Sequence, residues 1–131
     1  VKRLAGKATR VLVDAPCSGL GTLRRNPDLK WRQSPESTAE LTIKQAAILR
    51  AAATLLAPGG RLVYATCSLL ADENAAIANA FSAAHPQFKL ISCDEVFEKQ
   101  RMTLRTGPYL RLAPHTHGTD GFFGAVFERT T

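Results

Sequence analysis

The chain has 131 residues, 45% of them hydrophobic, which suits one domain or part of one with a packed core. Its formal net charge of +6 permits a phosphate-rich partner without demanding one. No apolar run approaches the roughly 18 residues of a membrane span, and the three cysteines form no C-x-x-C pair, which argues against a disulfide framework and a structural zinc site.

The chain opens on Val1 rather than Met, so a start further upstream is expected. The first ten residues are basic and small, unlike a secretory leader. Val11-Leu12-Val13 is a short β-branched run ending at Asp14, which predicts a strand buried on both faces, as in a parallel sheet. A long basic loop follows, with Arg24, Arg25, Lys30 and Arg32 around Trp31. Ser37 with Glu40 three residues later signals a capping box. The helix it opens is expected to run to about Leu56, with Leu41, Ile48, Ala52 and Leu55 on one stripe and Pro58-Gly59-Gly60 as its stop.

Leu62 to Ala65 predicts a second strand, closed by Thr66-Cys67-Ser68. Asp72 and Glu73 suit the positive end of a second helix that Pro86 terminates and that buries Ile77 and Phe81. Phe88 to Cys93 reads as a third strand, Leu110 to Ala113 as an extended segment, and Phe122 to Phe127 as a last strand entered through the turn pair Asp120-Gly121. Asp120 is expected to serve that turn only. His115 and His117, among Pro, Thr and Gly, read as a loop rather than a metal site. No metal ligands are assigned, and no membrane segment.

Strands alternating with helices imply βαβ units and a mostly parallel α/β sheet. Ligands of such sheets bind beyond the C-terminal strand ends. Two motifs fall there: Asp14-Ala15-Pro16-Cys17-Ser18-Gly19 and Ala65-Thr66-Cys67-Ser68. Pro16 keeps Ala15 extended, and Gly19 and Gly21 let the chain turn. If the two strands are neighbours, about 5 Å apart, two thiols and a carboxylate share one cavity. Methylation of cytosine at carbon 5 needs such a group. A thiolate added to carbon 6 breaks the aromaticity and makes carbon 5 nucleophilic; a second acid/base group then helps to remove the carbon 5 proton and expel the thiol.

Four stretches, Asp14-Ala-Pro-Cys-Ser-Gly-Leu-Gly-Thr-Leu-Arg-Arg25, Pro27-Asp-Leu-Lys-Trp31, Ala65-Thr-Cys-Ser-Leu69 and Gly118-Thr-Asp-Gly-Phe-Phe123, resemble the Sun-type RNA cytosine-5 methyltransferases, and among them the bacterial branch acting on 16S ribosomal RNA. The resemblance implies a Rossmann-like fold, with the C-terminal part of a mostly parallel sheet and an antiparallel last strand. It implies S-adenosyl-L-methionine as methyl donor, an RNA partner and a cytoplasmic enzyme. It assigns Cys67 as the nucleophile that bonds carbon 6, Cys17 as the group that helps release methylated RNA, and Asp14 as a residue beside donor and base, with Pro16 bordering the donor. Arg24, Arg25, Lys30 and Arg32 are the expected RNA contacts, four cations around one stacking aromatic. Cys93 lacks a comparable flank and is expected to be structural.

The family's glycine-rich donor loop and its acidic ribose-holding residue have no counterpart in this sequence. Ala57-Pro58-Gly59-Gly60-Arg61 lies between a helix and a strand, whereas a nucleoside loop follows a strand and precedes a helix. Gly19-x-Gly21 has Arg24 where a third glycine would stand. The chain is therefore expected to be the C-terminal portion of one catalytic domain, unable to bind the donor by itself. Two other classes compete. A methyltransferase acting on an exocyclic amine needs no nucleophilic cysteine, so Cys67 argues against it; a non-catalytic RNA-binding module is the other.

Overall fold

A computed structural model describes residues 2–131. The first strand, β1 (Ala8–Asp14), is longer than the apolar triplet at its centre. Its two faces differ, with Val13 buried and Leu12 68% exposed. Burial on both faces was expected; β1 instead lies at the edge of the sheet, and only its Val11–Val13 side meets the core.

A 3₁₀ turn (Leu20–Thr22) and the single-turn helix α1 (Leu29–Arg32) lead to α2 (Pro35–Ala53). The cap is Ser34, whose hydroxyl oxygen accepts the Ser37 N–H at 3.1 Å while the Ser37 hydroxyl oxygen accepts the Ser34 N–H at 2.9 Å. Pro35 occupies the first helical position, where no N–H is needed. The capping box is thus Ser34–Ser37 and not Ser37–Glu40. The buried row of α2 is Gln45, Leu49 and Ala53, and Ile48 points outward. Gln45 can take a core position because its amide finds polar partners there, described below.

The helix ends at Ala53, and β2 (Leu56–Thr66) already includes Pro58-Gly59-Gly60. Those residues form a bulge rather than a helix stop. Ala8 pairs with Leu56, but Arg10 pairs with Arg61, and Gly59 turns at φ +79°. A 3₁₀ turn (Ala71–Glu73) precedes α3 (Ala75–Ala84), so Asp72 and Glu73 stand before the helix instead of in its first turn. Next come β3 (Phe88–Ile91) and α4 (Cys93–Lys99), a helix the sequence reading did not anticipate. Acidic Asp94 and Glu95 complement its N-terminus, and Asp94 Oδ1 also accepts the N–H groups of Thr106 and Gly107 at 2.8 and 3.0 Å. The chain continues through β4 (Leu110–Leu112) and β5 (Phe122–Arg129). Between them, α5 (Pro114–His117) forms one turn where a loop was expected.

The strand order is β1-β2-β5-β3, with β4 also on β5. β1 and β2 are parallel, and β5 is antiparallel to β2, β3 and β4, so four strands point one way and only the last opposes them. This is the mixed α/β sheet expected. One sheet face carries Val13, Leu62, Tyr64, Phe123, Ala125 and Phe127 into a core closed by Leu49 and Ala53 of α2 and Ile77 and Phe81 of α3. Phe81 stacks on His85 and meets Phe88 and Phe127 edge-on.

Candidate active site

The C-terminal ends of β1 and β2 lie side by side, with Asp14 opposite Ala65. The pairing continues one step into the loops through Ala15 N–H to Ala65 C=O at 2.9 Å. The chain then carries Cys17 and Cys67 to the same place, where their sulfurs are 3.4 Å apart and both side chains are half-buried. Burial first, and then the hydrogen bond with Cys67, push the Cys17 thiol up to about 11. Cys17 therefore keeps its proton through the neutral range. Asp14 and Pro16 are exposed at the strand end. Cys93 is buried with its sulfur near the Gly124 carbonyl at 3.8 Å and takes no part in the Cys17–Cys67 contact, and burial raises its thiol as well.

What holds the two loops was not legible in the sequence. Glu73 is fully buried, and its carboxylate collects four donors. Oε1 accepts the Ser18 N–H at 2.8 Å and the Gln45 amide at 3.2 Å. Oε2 accepts the hydroxyls of Ser18, at 2.7 Å, and Ser68. Gln45 also donates to the Pro16 carbonyl at 2.9 Å, and Gln33 to the Ser18 carbonyl at 3.0 Å. Thr66 and Asn74 complete the network: the Thr66 hydroxyl bonds Asn74 Oδ1 at 2.5 Å, and the Asn74 amide donates to the Ser68 carbonyl at 2.8 Å. Tyr64 donates to the Glu73 backbone carbonyl at 2.6 Å. The hint available in the sequence was the repeated Cys-Ser dipeptide, 17–18 and 67–68; Asp72-Glu73 read as ordinary helix-start charge.

A third loop closes the arrangement. Gly21 N–H donates to the Cys67 carbonyl at 2.9 Å, and Gly121 N–H donates to the Gly21 carbonyl at 2.7 Å. A β-carbon on Gly21 would stand 2.4 Å from the Gly121 oxygen and 2.5 Å from the Cys67 oxygen, so only glycine fits without moving backbone. Asp120 does more than make a turn: it pairs with Arg25 at 2.6 Å and lies 4.0 Å from Arg24, which also donates to the Gly118 carbonyl at 3.1 Å.

The four basic-loop residues therefore differ in what occupies them. Arg24 and Arg25 tie the first loop to residues 118–120, and Arg32 pairs with Asp28 at 2.6 Å. Among the described residues Lys30 has no carboxylate partner; its ammonium lies 4.9 Å from the ring centre of Trp31, which is 80% exposed. A cleft of about 710 Å³ adjoins this surface, lined among others by Leu20, Lys30, Gln33, Thr38, Leu70 and Asp72, and it includes neither thiol of the pair.

The chain covers most of its length in common with known proteins. A family model described as 16S rRNA methyltransferase RsmB/F matches residues 2–128. The ribosomal RNA small subunit methyltransferase B of Serratia proteamaculans is 40% identical over 116 residues, 88% of this chain and 25% of that protein. The crystal structure of PH0851 superposes with a TM-score of 0.84 at 38% identity, covering 95% of this chain and 27% of that one. NSun6 from Pyrococcus horikoshii, solved with SFG, gives a TM-score of 0.70 at 28% identity over 92% of this chain and 29% of that one. The chain spans about a quarter of the length of the curated relatives it matches. With the family model covering nearly every residue, and both cysteine loops inside it, this chain belongs to the RsmB/F family of 16S rRNA methyltransferases.

Proposed function

We propose that this chain is the two-cysteine portion of a cytoplasmic enzyme that methylates carbon 5 of a cytosine in RNA, 16S ribosomal RNA first among candidates, with S-adenosyl-L-methionine as donor. The observation that carries the reading is the 3.4 Å approach of Cys17 and Cys67 at the ends of adjacent parallel strands. An amine-directed methyltransferase has no use for two converging thiols. Family membership and a relative named for ribosomal RNA methylation support the RNA substrate.

In this reading the Cys67 thiolate adds to carbon 6 of the base, which localises electron density at carbon 5. The bound donor supplies an electrophilic methyl group on a sulfonium sulfur. Asp14 and Pro16 fit a place at its border, because both are exposed at the strand end and among the described residues Asp14 forms no ion pair. After methyl transfer the carbon 5 proton passes to solvent, and the electron pair of that bond re-forms the 5,6 double bond as the Cys67–carbon 6 bond breaks. A thiol held protonated beside Cys67 suits this last stage, since Cys17 can return a proton to the departing sulfur.

The test is a pair of substitutions in a full-length protein carrying this segment. Cys67→Ala should abolish methyl transfer and leave no covalent RNA complex on a denaturing gel. Cys17→Ala should let the bond form and then stall, so that a shifted protein–RNA band accumulates. The reversed pattern would exchange the two roles, and methyl transfer that survives both changes would remove the thiol mechanism.

A further inference from the structure

We propose that Glu73 is a positioning residue for the thiol pair: its single carboxylate fixes where both cysteines stand by gripping the serine that follows each of them. The proposal rests on the two-thiol reading given above. Cys17-Ser18 and Cys67-Ser68 leave two different strands, 50 residues apart in sequence. Both serines are buried, at 2% and 1% exposure, and both hydroxyls donate to the same oxygen, Glu73 Oε2. The Ser18 N–H adds a bond to Oε1. Each serine is joined to its cysteine by one peptide unit, which is rigid. Fixing the two serines on one carboxylate therefore leaves each sulfur only a short arc to occupy.

The carboxylate has no other evident task. Among the described residues no cation touches Glu73, so its charge rests on neutral donors alone, and a carboxylate that collects several hydrogen bonds is held firmly in place. A network meant only to hold the helices together would not need to reach the loops beyond them. This one does: Gln45 of α2 bonds both Glu73 and the Pro16 carbonyl, immediately before Cys17. Asn74 bonds the Ser68 carbonyl, immediately after Cys67. Polar groups on α2 and before α3 thus converge on the four residues around the two sulfurs.

Reach and charge can be separated by substitution. Glu73→Gln keeps the length of the side chain, and since a hydroxyl can accept as well as donate, both serines can stay bound. Glu73→Asp keeps the charge but is one methylene too short to hold both serines at once. The probe is phenylarsine oxide, which condenses with two neighbouring thiols, replacing one As–O double bond with two As–S bonds and releasing one water. It binds tightly only where two sulfurs approach closely, and its affinity does not depend on methyl transfer. In the full-length protein, with thermal melts showing the fold retained at assay temperature, Glu73→Asp should weaken arsenical affinity at least tenfold, while each thiol alkylates singly with iodoacetamide at a rate within about twofold of wild type. Glu73→Gln should restore most of the affinity. In single-turnover reactions Glu73→Asp should slow release of methylated RNA more than formation of the covalent complex.

If Glu73→Asp does not fold, Ser18→Ala and Ser68→Ala carry the test, because each removes one hydroxyl tether; each should lower arsenical affinity severalfold. Wild-type arsenical affinity in a folded Glu73→Asp protein, or in both serine variants, overturns the proposal. So does the opposite order, with Asp restoring what Gln loses, which would make the charge and not the reach decisive. If arsenical binding follows prediction while Cys67→Ala still methylates, the covalent mechanism has failed and the positioning role of Glu73 stands.

Discussion

Replacing Gly21 by alanine tests the joint between the three loops, and the structure sets the size of the effect. The added methyl would lie 2.4 Å from the Gly121 oxygen and 2.5 Å from the Cys67 oxygen, about 1 Å inside ordinary contact. Both are backbone atoms, so no side chain can swing aside. Moving them apart strains or breaks the bonds from Gly21 N–H to Cys67 and from Gly121 N–H to Gly21. Two such bonds are worth about 1 kcal/mol each, and overpacking adds about 1–3 kcal/mol. Gly21 has an ordinary φ, so alanine also removes some unfolded-chain entropy, which offsets about 0.4–1 kcal/mol. The expected net loss is about 2–4 kcal/mol in urea unfolding followed by circular dichroism. Gly107→Ala is the control: it has φ +90° and no atom within 4 Å of a built β-carbon, so it should cost about 1 kcal/mol from strain alone. A Gly21→Ala loss no larger than that of Gly107→Ala would show that the loops are not wedged together as described. Since the Cys67 carbonyl moves with its sulfur, activity should fall about 100-fold, the usual cost of a 1 Å misplacement.

Cys17 should alkylate with an inflection near pH 11, above its ordinary value of 9.0, and in Cys67→Ala the inflection should fall while staying above 9.0, because burial is the larger cause. The linkage has a definite sign. Between pH 9 and 11 the unfolded thiol has lost its proton and the folded one has not, so this group lowers folding stability as pH rises through that window and contributes nothing below it. A stability rise over the same window would contradict the burial described. Lys30→Ala should weaken RNA binding uniformly and reduce the salt slope of log affinity by about one. Arg25→Ala should also weaken it, but with an added stability loss of less than about 1 kcal/mol from the exposed pair with Asp120, and Arg32→Ala should have the smaller RNA effect of a cation already paired. Equal effects of Lys30 and Arg32 would show that intramolecular pairing does not decide which cations are free for RNA. Asp14→Ala should lose methyl transfer without accumulating the covalent complex that Cys17→Ala traps.

Element types were largely legible because period and punctuation agreed. Val11-Leu12-Val13 and Leu62 to Ala65 became strands, and Pro86 ended α3 where the sequence placed it. The misreadings have physical causes. Pro58-Gly59-Gly60 looks like a helix stop, yet the left-handed conformation of Gly59 serves equally well for a bulge, and only the partner strand decides between them. The one-turn offset of the capping box arose because Ser34 and Ser37 can both cap, and Pro35 selects the first. α4 escaped notice because its seven residues are too few to show a period. At the site, strand ends announced Cys17 and Cys67, but nothing local distinguishes Glu73 from Asp72. One is buried among four donors and the other exposed, a difference made by α2 and by Ser18, some 55 residues away.

The reversed direction of β5 explains how three loops meet at one edge. Had β5 run parallel to β2, its N-terminus would lie at the far end of the sheet, about 25 Å away for an eight-residue strand. Because it runs antiparallel, Phe123 pairs with Thr66, and the Gly118–Gly121 turn arrives beside the ends of β1 and β2. Gly121 can then bond Gly21, and Asp120 can pair with Arg25. Neither contact touches a sulfur, but each braces the loop that carries Cys17 at residues beyond the one Glu73 holds. The first cysteine loop is thus held at Ser18 by Glu73 and at Gly21 by Gly121. The second is held at Ser68 by Glu73, and its own Cys67 carbonyl accepts the Gly21 bond. In the proposed mechanism the Cys67 sulfur bonds to a base and then lets go, which needs a fixed starting point on both occasions, and holding each loop at two points supplies one.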